Sequence, residues 1–489
     1  MSPGEGQITI GLLRLTDAAP VIVAAENGYF ARRGLDVRLS VEPSWANIAD
    51  KLTYGRLNAA VMLPPLAFAV SLGLRGIGTP LVVPMSLSLN GNSVTLSNAL
   101  ADAVAPGGPG DAMGGDAMEV GARLRAAIRQ QDRRLRFSVV HAYSTHNLLL
   151  RYWLAASDID PDRDIELSVV SPAETVAALR DGHIDGFCAG APWGSVAASS
   201  GVGRTVVTSS QIWRDHPEKC IAVPRAWALA NPARLGALID ALIDATRFCD
   251  DPANADDIAR ILSDRRYLAL DPEAIRESLP APASAARGNV DRSVFFRHAA
   301  NFPWVSHAAW FLEQMARWGH LPPEIDRERA VSIYRPDLYR EAAVRAGISV
   351  PAHDAKPEGA HEATWMAEGH PSPVGMGADM FCDGSVFFRH AANFPWASHA
   401  AWFLEQMTRW GHLPPEIDRE RAASIYRPDL FREAAMRAGI SVPAHDAKPE
   451  GAHEAAWMAE GHPSAVGMGA DMFCDGSVFG AEGGRLQLK

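Results

Sequence analysis

The fold is decided by residues 7–63, QITIGLLRLTDAAPVIVAAENGYFARRGLDVRLSVEPSWANIADKLTYGRLNAAVML. Three β-branched runs in this stretch predict strands, namely around Ile8 and Ile10, over 36–41 and over 59–63. Between them lie two runs with helical spacing of apolar residues, over 18–33 and after Ser44, which can cap a helix. The order strand, helix, strand, helix, strand predicts a parallel sheet with helices on both faces.

The same alternation returns after a stretch rich in glycine and proline at 105–115. Strands are predicted over 135–140 and 165–170, and helices over 145–156 and 173–180. Two α/β blocks in a chain of 489 residues favour an α/β, two-lobed architecture. In such an architecture, strand ends and helix N-termini from both lobes face a cleft that binds a ligand. We expect the two-lobed body to occupy residues 1–292.

The remainder of the chain is dominated by a tandem duplication. Residues 293–384 recur as residues 385–476, at an offset of 92 and with seven substitutions, and residues 477–489 form a tail. Apolar spacing predicts that each copy is a helical segment able to dock on the body, and one body offers one dock. We expect residues 293–384 to dock, and residues 385–476 to make few contacts or to replace them in a swapped dimer.

Composition excludes several classes of protein. The formal net charge of −11 at pH 7 opposes direct binding to nucleic acid or to an anionic membrane surface. The most apolar region, residues 57–89, is interrupted by prolines and glycines, so it is interpreted as buried strands and a helix, not as a membrane insertion. The first residues show no secretory signal. We therefore expect a cytoplasmic protein, or a periplasmic one if the true start lies upstream.

Neither a cofactor nor catalysis is indicated by the motifs. Twelve of the sixteen histidines lie in the duplicated segment, but none pairs with another at the helical spacing of a metal site. The five cysteines form no close pair, and no nucleophile elbow or strand-to-helix glycine motif occurs. We expect no metal, no cofactor and no enzymatic activity. The least favoured alternative is a pyrimidine-precursor synthase on the same fold, for which Cys188 is the only hint.

Six short segments carry a sharper signal: Thr16-Asp17-Ala18-Ala19-Pro20, Ser44-Trp45-Ala46-Asn47-Ile48, Asn90-Gly91-Asn92, Thr145-His146 before Arg151-Tyr152-Trp153, DGFCAGAPW at 185–193, and His216-Pro217-Glu218-Lys219. In this order they resemble the nitrate- and bicarbonate-binding family of ABC-transporter solute-binding proteins. Within this family, the chain most resembles the cytoplasmic branch that senses nitrate. The resemblance extends over residues 7 to about 384 and implies a two-lobed periplasmic-binding-protein fold of the second type.

The resemblance also implies a ligand-binding site built from seven residues: Trp45, Asn92, His146, Lys219 and Gly190 around the ligand, with Asn90 and Thr145 supporting them. Asn92 is expected to supply an amide donor. Without the resemblance, other interpretations stay open. Trp45 then reads as a core aromatic, Lys219 as a solvated lysine in a turn, and His146 as a histidine at the start of a helix.

The chemistry of nitrate fits these residue types. Nitrate is planar and spreads one negative charge over three oxygens, so its pocket needs a cation, in-plane donors and a flat face. Lys219 is expected to supply the cation. Bicarbonate carries a proton and benefits from a carboxylate acceptor, and family members that bind it look acidic where this chain has Lys219. Nitrate or nitrite is therefore favoured, although Ala191 stands where family members commonly have an acidic residue.

The leading hypothesis is a sensor whose lobes close on nitrate or nitrite and thereby change its affinity for a regulatory partner. In related systems that partner is an RNA-binding antiterminator protein. The alternative is the periplasmic substrate-binding component of an ABC transporter for nitrate, nitrite or bicarbonate, with an ABC permease as its partner.

Overall fold

A computed structural model describes residues 6–105, 116–282, 292–356, 358–359, 361, 363–383, 404, 427–437, 442–445, 457–462, 466–468, 478–479 and 486–487. The chain divides into two compact units. One unit contains residues 1–352 and 361–385, and the other contains residues 353–360 and 386–489. Both predicted α/β blocks and most of the first copy of the duplicated segment therefore belong to the first unit.

Strands and helices alternate through the first unit. Its strands are β1 (Ile8–Leu12), β2 (Val37–Val41), β3 (Ala59–Met62), β4 (Leu81–Ser86), β5 (Asn92–Ser97), β6 (Leu135–Val139), β7 (Ile165–Val169), β8 (Gly186–Gly190), β9 (Gly203–Thr208), β10 (Cys220–Pro224), β11 (Val350–Pro351), β12 (Trp365–Ala367), β13 (Gly369–His370) and β14 (Val374–Met376). Its helices are α1 (Ala19–Glu26), α2 (Tyr29–Arg32), α3 (Trp45–Thr53), α4 (Pro64–Ser71), α5 (Asn98–Val104), α6 (Ala117–Arg129), α7 (Thr145–Ala156), α8 (Thr175–Arg180), α9 (Trp193–Ser199), α10 (Ser209–Ile212), α11 (Arg225–Ala230), α12 (Pro232–Asp250), α13 (Ala255–Leu262), α14 (Pro272–Arg276), α15 (Val305–Arg317), α16 (Arg327–Ala330) and α17 (Pro336–Ala346).

The first α/β block forms a sheet with the spatial order β2-β1-β3-β10-β4. β1 runs parallel to β2 and to β3, as the strand-helix-strand pattern predicts. β10 lies between β3 and β4 and runs antiparallel to both. The prediction of a parallel sheet holds for β1, β2 and β3 but not for the whole sheet, because a strand that follows the second block in sequence returns to this sheet in the opposite direction.

The second α/β block repeats this plan in a sheet with the order β7-β6-β8-β5-β9. β6 is parallel to β7 and β8, whereas β5 is antiparallel to β8 and β9. The chain passes from one sheet to the other twice, through residues 87–91 after β4 and through residues 209–219 after β9. The two sheets are the cores of the two lobes, and the two passages connect them.

Local signals account for most helix boundaries. Ser44 begins α3 as predicted, since its side chain accepts a hydrogen bond from the backbone nitrogen of Asn47 at 3.3 Å. The single helix predicted over 18–33 is interrupted, which corrects that prediction. α1 ends at Glu26 and α2 begins at Tyr29, because Gly28 between them has a φ of +71°, in the left-handed region that glycine tolerates.

The first copy of the duplicated segment contributes to the core of the first lobe. Phe302 and Trp304 belong to the same buried apolar cluster as Leu238 and Leu242 of α12. The amide of Asn301 donates to the carbonyl oxygens of Ser86 and Phe295, at 3.2 and 2.8 Å. The prediction of a helical segment holds only for the first part of this copy, because β11 pairs with β13 and β12 pairs with β14 after its last helix.

Four rings, Tyr152, Trp213, Trp310 and Phe381, form what we call the aromatic cluster. Trp213 lies 4.6 Å from Trp310 and 4.8 Å from Phe381 between ring centroids. Its indole Nε1 donates to Asp379 Oδ1 at 2.8 Å. The hydroxyl of Tyr152 on α7 donates to Asp383 at 2.9 Å. The end of the first copy therefore packs on the second lobe and on the connection between the lobes.

The second copy is described only in short pieces. They include a helix, α18 (Pro428–Arg437), and four strands, β15 (Val442–Pro443), β16 (Trp457–Ala459), β17 (Gly461–His462) and β18 (Val466–Met468). β15 pairs with β17 and β16 with β18 in the register of the first copy, shifted by 92 residues. The residues through which residues 385–476 were expected to dock lie outside the described part of the chain.

Candidate anion-binding site

The residues implied by the resemblance lie at the ends of strands and helices that face the junction of the lobes. Trp45 begins α3, Thr145 and His146 begin α7, Asn92 begins β5, Gly190 ends β8, and Lys219 immediately precedes β10. All six are buried. The local structure follows from sequence at both helices, because Ser44 and Ser144 cap α3 and α7 through their side chains.

Lys219 is the centre of the site and has no exposed surface. Its Nζ lies 2.7 Å from Asp17 Oδ2 and also donates to Glu218 Oε1. The ammonium lies 5.6 Å from the centroid of the Trp45 ring, within the range of a cation–π interaction. Lys219 is therefore not an uncompensated cation, because two carboxylates already share its charge.

Glu218 connects the lysine to the second lobe. The side-chain nitrogen of Asn92 donates to Glu218 Oε2 at 2.5 Å, and His146 Nε2 lies 3.6 Å from Glu218 Oε1. The amide group of Asn92, expected to donate to the ligand, thus donates to a carboxylate here. The backbone nitrogen of Asn92 donates to Ser209 Oγ at 3.1 Å, which fixes the start of β5.

Gly190 keeps a small space open at the centre of these groups. A Cβ atom placed on Gly190 would lie 3.4 Å from each of three polar atoms, Asn92 Oδ1, Asp17 Oδ2 and His146 Nε2. These atoms come from three different elements, and they converge on one point above the glycine backbone. Because residue 190 has no side chain, a small space remains beside polar groups of both lobes.

Several buried polar atoms of Asp17 and of the predicted site residues have no hydrogen-bond partner among the residues that the structure describes. They are Asp17 Oδ1, Trp45 Nε1, Asn92 Oδ1, Thr145 Oγ1 and both ring nitrogens of His146. Buried polar groups in folded proteins are nearly always paired, because an unpaired one costs about 1–3 kcal/mol. A concentration of such atoms in one place is typical of a site completed by a ligand.

The ionisation of the site follows from burial and from its pairs. Burial raises the pKa of Asp17, which Lys219 opposes and Glu218 reinforces. Burial acts to lower the pKa of Lys219, but Asp17 and Glu218 outweigh it and the pKa is raised. The pKa of His146 is well below its usual value because of burial and the nearby charge of Lys219. Lys219 is therefore charged and His146 neutral at pH 7.

The lobes meet directly beside the site. The backbone nitrogen of Thr16, in the first lobe, donates to the carbonyl oxygen of Ala191 in the second at 2.9 Å. Asn90 is placed differently from the prediction that it supports the ligand-binding residues. It lies in the first connection with a φ of +61°, and its amide donates to Asp215 Oδ1 at 3.0 Å. This hydrogen bond thus links the two connections between the lobes.

Two negative findings concern the described part of the chain alone. It contains no group of three or more His, Cys, Asp or Glu side chains arranged to hold a metal ion. None of its helices combines the length and the apolar composition needed to cross a membrane.

Comparison with known proteins identifies the family. Residues 2–263 match the model of the NMT1-like family. The chain belongs to this family. The NMT1-like chain is 39% identical over 347 residues to the bicarbonate transport ATP-binding protein CmpC of Synechococcus elongatus, a match that covers 70% of this chain and 50% of CmpC. It is 34% identical over 375 residues to the nitrate/nitrite binding protein NrtA of the same species, covering 73% of this chain and 82% of NrtA.

The NMT1-like chain thus spans about half the length of CmpC and most of the length of NrtA. Among solved structures it is similar to the periplasmic nitrate-binding protein NrtA from Synechocystis PCC 6803, with a TM-score of 0.66, 28% identity and coverage of 79% of this chain and 96% of that one. The predicted family and the periplasmic-binding-protein-like fold are confirmed. Both NrtA proteins are named for binding, not for catalysis.

Sequence reasoning missed two members of the site, Asp17 and Glu218. Both lie inside segments that carry the family resemblance, but neither was assigned a role. A signal was present, because a lysine placed in a closed cleft needs a carboxylate partner to offset its desolvation. Glu218 is adjacent to Lys219 in sequence, whereas Asp17 is 202 residues away and becomes its partner only in the fold.

Proposed function

We propose that this NMT1-like chain binds nitrate or nitrite in the cleft around Gly190. The observation that supports this most is that Asn92 Oδ1 and His146 Nε2, both buried and without a hydrogen-bond partner among the described residues, converge at Gly190 with Asp17 Oδ2, the partner of the Lys219 ammonium. The NrtA relatives, whose names state nitrate or nitrite binding, support the same ligand class. The assignment of this fold to the second type of periplasmic binding protein remains a prediction.

The donors of the cleft suit a small planar anion. The Trp45 indole N–H, the Thr145 hydroxyl and one ring nitrogen of neutral His146 can each donate to an anion oxygen. Lys219 adds electrostatic attraction, and the Trp45 ring beside it offers a flat apolar face. Because even one added Cβ at residue 190 would lie 3.4 Å from three polar atoms, the space admits only a small ligand.

Access to this space requires the lobes to separate. The site residues are buried, and the Thr16–Ala191 hydrogen bond joins the lobes next to them. The structure therefore corresponds to a closed arrangement, and an anion enters when the lobes move apart about residues 87–91 and 209–219. A ligand that contacts both lobes stabilises the closed arrangement by the difference between its affinities for the two.

Calorimetric titration with nitrate, nitrite and bicarbonate tests the proposal. Loss of a buried cation that faces an anion costs about 2–5 kcal/mol, so Lys219→Ala is expected to weaken nitrate binding by well over tenfold. Lys51→Ala is the matched control, since Lys51 pairs with Glu42 outside the cleft and its side chain is 42% exposed. Gly190→Ala is expected to abolish binding by filling the space. Nitrate affinity that survives both Lys219→Ala and Gly190→Ala would place the site elsewhere.

We propose a sensing role for the bound anion, in which closure of the lobes changes affinity for a regulatory partner. Closure of the lobes on an anion supports this role, because a partner that distinguishes the closed from the open arrangement responds to the anion. The RNA-binding antiterminator as that partner remains a prediction.

The second candidate role is capture of the anion for an ABC permease. It is favoured by the structural similarity to NrtA of Synechocystis, which is described as periplasmic. Fractionation of the native host separates the two roles. Recovery from the cytoplasm, with a partner that dissociates when nitrate is added, supports sensing. Recovery from the periplasm supports transport and excludes the cytoplasmic location.

A further inference from the structure

The buried cluster in the cleft holds two carboxylates and one ammonium. Asp17 and Glu218 both pair with Lys219, and the neighbouring His146 is neutral at pH 7. With both carboxylates ionised, the cluster carries one net negative charge. Bringing nitrate into the same water-excluded space would raise this to two negative charges, which a low-dielectric interior opposes strongly.

The hydrogen-bonding groups of the cleft also disfavour nitrate binding while both carboxylates are ionised. Two of the unpaired atoms, Asp17 Oδ1 and Asn92 Oδ1, are oxygens that lack a donor among the described residues. Nitrate has oxygens and no hydrogen, so it cannot donate to either of them. One additional proton on the Asp17 carboxyl would turn an acceptor into a donor directed at an anion, and it would also remove the second negative charge.

We propose that nitrate binding takes up one proton from solvent and that Asp17 holds this proton on its carboxyl group while the anion occupies the cleft. This inference rests on the proposed function. The balance is simple: one proton leaves the buffer, one anion leaves the solution, and the net charge of the occupied cleft equals that of the empty one. The bond to hydrogen in the buffer acid breaks, the O–H bond of Asp17 forms, and no other bond changes.

Asp17 is better suited than Glu218 to hold the proton. Both oxygens of Glu218 already accept hydrogen bonds, Oε1 from Lys219 and Oε2 from Asn92. Asp17 has a partner at Oδ2 and none at Oδ1 among the described residues. Burial and the negative charge of Glu218 also raise the pKa of Asp17, against the opposing effect of Lys219.

An anion that carries a proton, such as bicarbonate, is a comparison ligand for nitrate. Bicarbonate can donate its hydroxyl hydrogen to ionised Asp17, so it satisfies the same oxygen without a proton from solvent. The proposal therefore predicts different proton stoichiometries for two anions of similar shape and equal charge.

The experiment is calorimetric titration of the full-length protein with sodium nitrate at pH 7, in two buffers that differ in ionisation enthalpy. We expect uptake of close to one proton per nitrate, and uptake near zero with sodium bicarbonate. Nitrate affinity is expected to fall by up to about tenfold for each unit rise in pH between the pKa values of Asp17 in the free and bound states. Nitrate binding with uptake near zero would overturn the inference and leave the proposed function standing, whereas no heat with any anion would overturn the function itself.

Two variants assign the proton to its residue. Asp17→Asn carries an N–H donor in place of the proton, so it is expected to bind nitrate with uptake near zero and little dependence on pH. Glu42→Gln is the matched control, because Glu42 is a buried carboxylate paired with Lys51 and not with Lys219, and it should retain the uptake. Uptake that persists in Asp17→Asn would overturn the assignment.

A measurement on the unmodified protein covers the case in which Asp17→Asn does not fold. The infrared difference spectrum on addition of nitrate is expected to gain the C=O band of a protonated carboxyl group. A spectrum that lacks this band would contradict the inference.

Discussion

The cleft and the aromatic cluster both contain a buried tryptophan, but the two differ in whether the indole N–H has a hydrogen-bond acceptor. Trp213 in the aromatic cluster is fully buried and donates to Asp379. Trp153, buried in the second lobe, donates to the carbonyl oxygen of Ala117 at 2.8 Å. Trp45 is equally buried, yet its Nε1 has no acceptor among the described residues. The chain completes the hydrogen bonds of the aromatic cluster itself, whereas the cleft is left to be completed by a ligand.

Trp213→Ala is expected to have the largest effect on stability. Removal of a buried tryptophan costs about 3–5 kcal/mol, and Asp379 also loses a donor. Urea unfolding measures the loss, and nitrate affinity of the folded protein should be retained. Leu229→Ala, at a side chain 71% exposed, is the control that should leave the unfolding free energy unchanged. A Trp213 variant as stable as the control would break the comparison.

Trp45→Phe is expected to act on binding instead of stability. The change removes an N–H that has no acceptor among the described residues and that we propose donates to the bound anion. Such a bond is worth about 1.5–3 kcal/mol when the acceptor is charged. The nitrate Kd should rise by about tenfold or more, with a nearly unchanged unfolding free energy. Trp153→Phe should show the reverse pattern, because it strips the donor from the Ala117 carbonyl. The comparison fails if both variants lose stability equally.

The pH dependence of the unfolding free energy tests whether His146 is neutral in the cleft. Because the pKa of His146 is lowered in the folded protein, the unfolded chain binds a proton below about pH 6.5 that the folded protein does not. The unfolding free energy should therefore fall as the pH drops below 6.5, by up to about 1.4 kcal/mol per pH unit. Stability of His146→Gln, followed by urea unfolding, should fall less steeply over the same range. Equal slopes would show that His146 does not remain neutral.

Deletion of residues 385–476 is expected to have the smallest effect. The cleft and the aromatic cluster both lie in the first unit, so neither loses a residue. Nitrate affinity and thermal stability should be nearly unchanged. Aggregation should decrease, because an undocked copy carries several aromatic residues that repeat the docking sequence. If the shortened protein unfolds or loses its ligand, the second copy is part of the working fold.

The sequence was sufficient for the family, the two α/β blocks and the capped helices, because these depend on local spacing and on short segments. Ser44 and the apolar residues of α3 are an example, since the cap and the buried face both lie within nine residues. The antiparallel pairing of β5 and β10 was not predicted, because pairing between distant strands leaves no local signal. The partnership of Asp17 with Lys219 was missed for the same reason.

The site was also only partly predictable. The resemblance placed Trp45, His146, Lys219 and Gly190 together, and in the structure Lys219 lies beside Trp45 whereas His146 lies beside Gly190. It did not indicate that Lys219 is shared between two carboxylates or that Asn92 donates to Glu218. Residue type alone assigns a charge to a lysine, whereas the net charge of a buried cluster depends on which side chains the fold brings together.

The position of β10 has a consequence for synthesis of the chain. The second lobe's sheet draws all five of its strands from residues 92–208, so a ribosome delivers it without interruption. The first lobe's sheet starts earlier but lacks the strand between β3 and β4 until residues 220–224 emerge. The lobe that is translated second can therefore finish folding first, and the N-terminal strands remain exposed to chaperones in the interval.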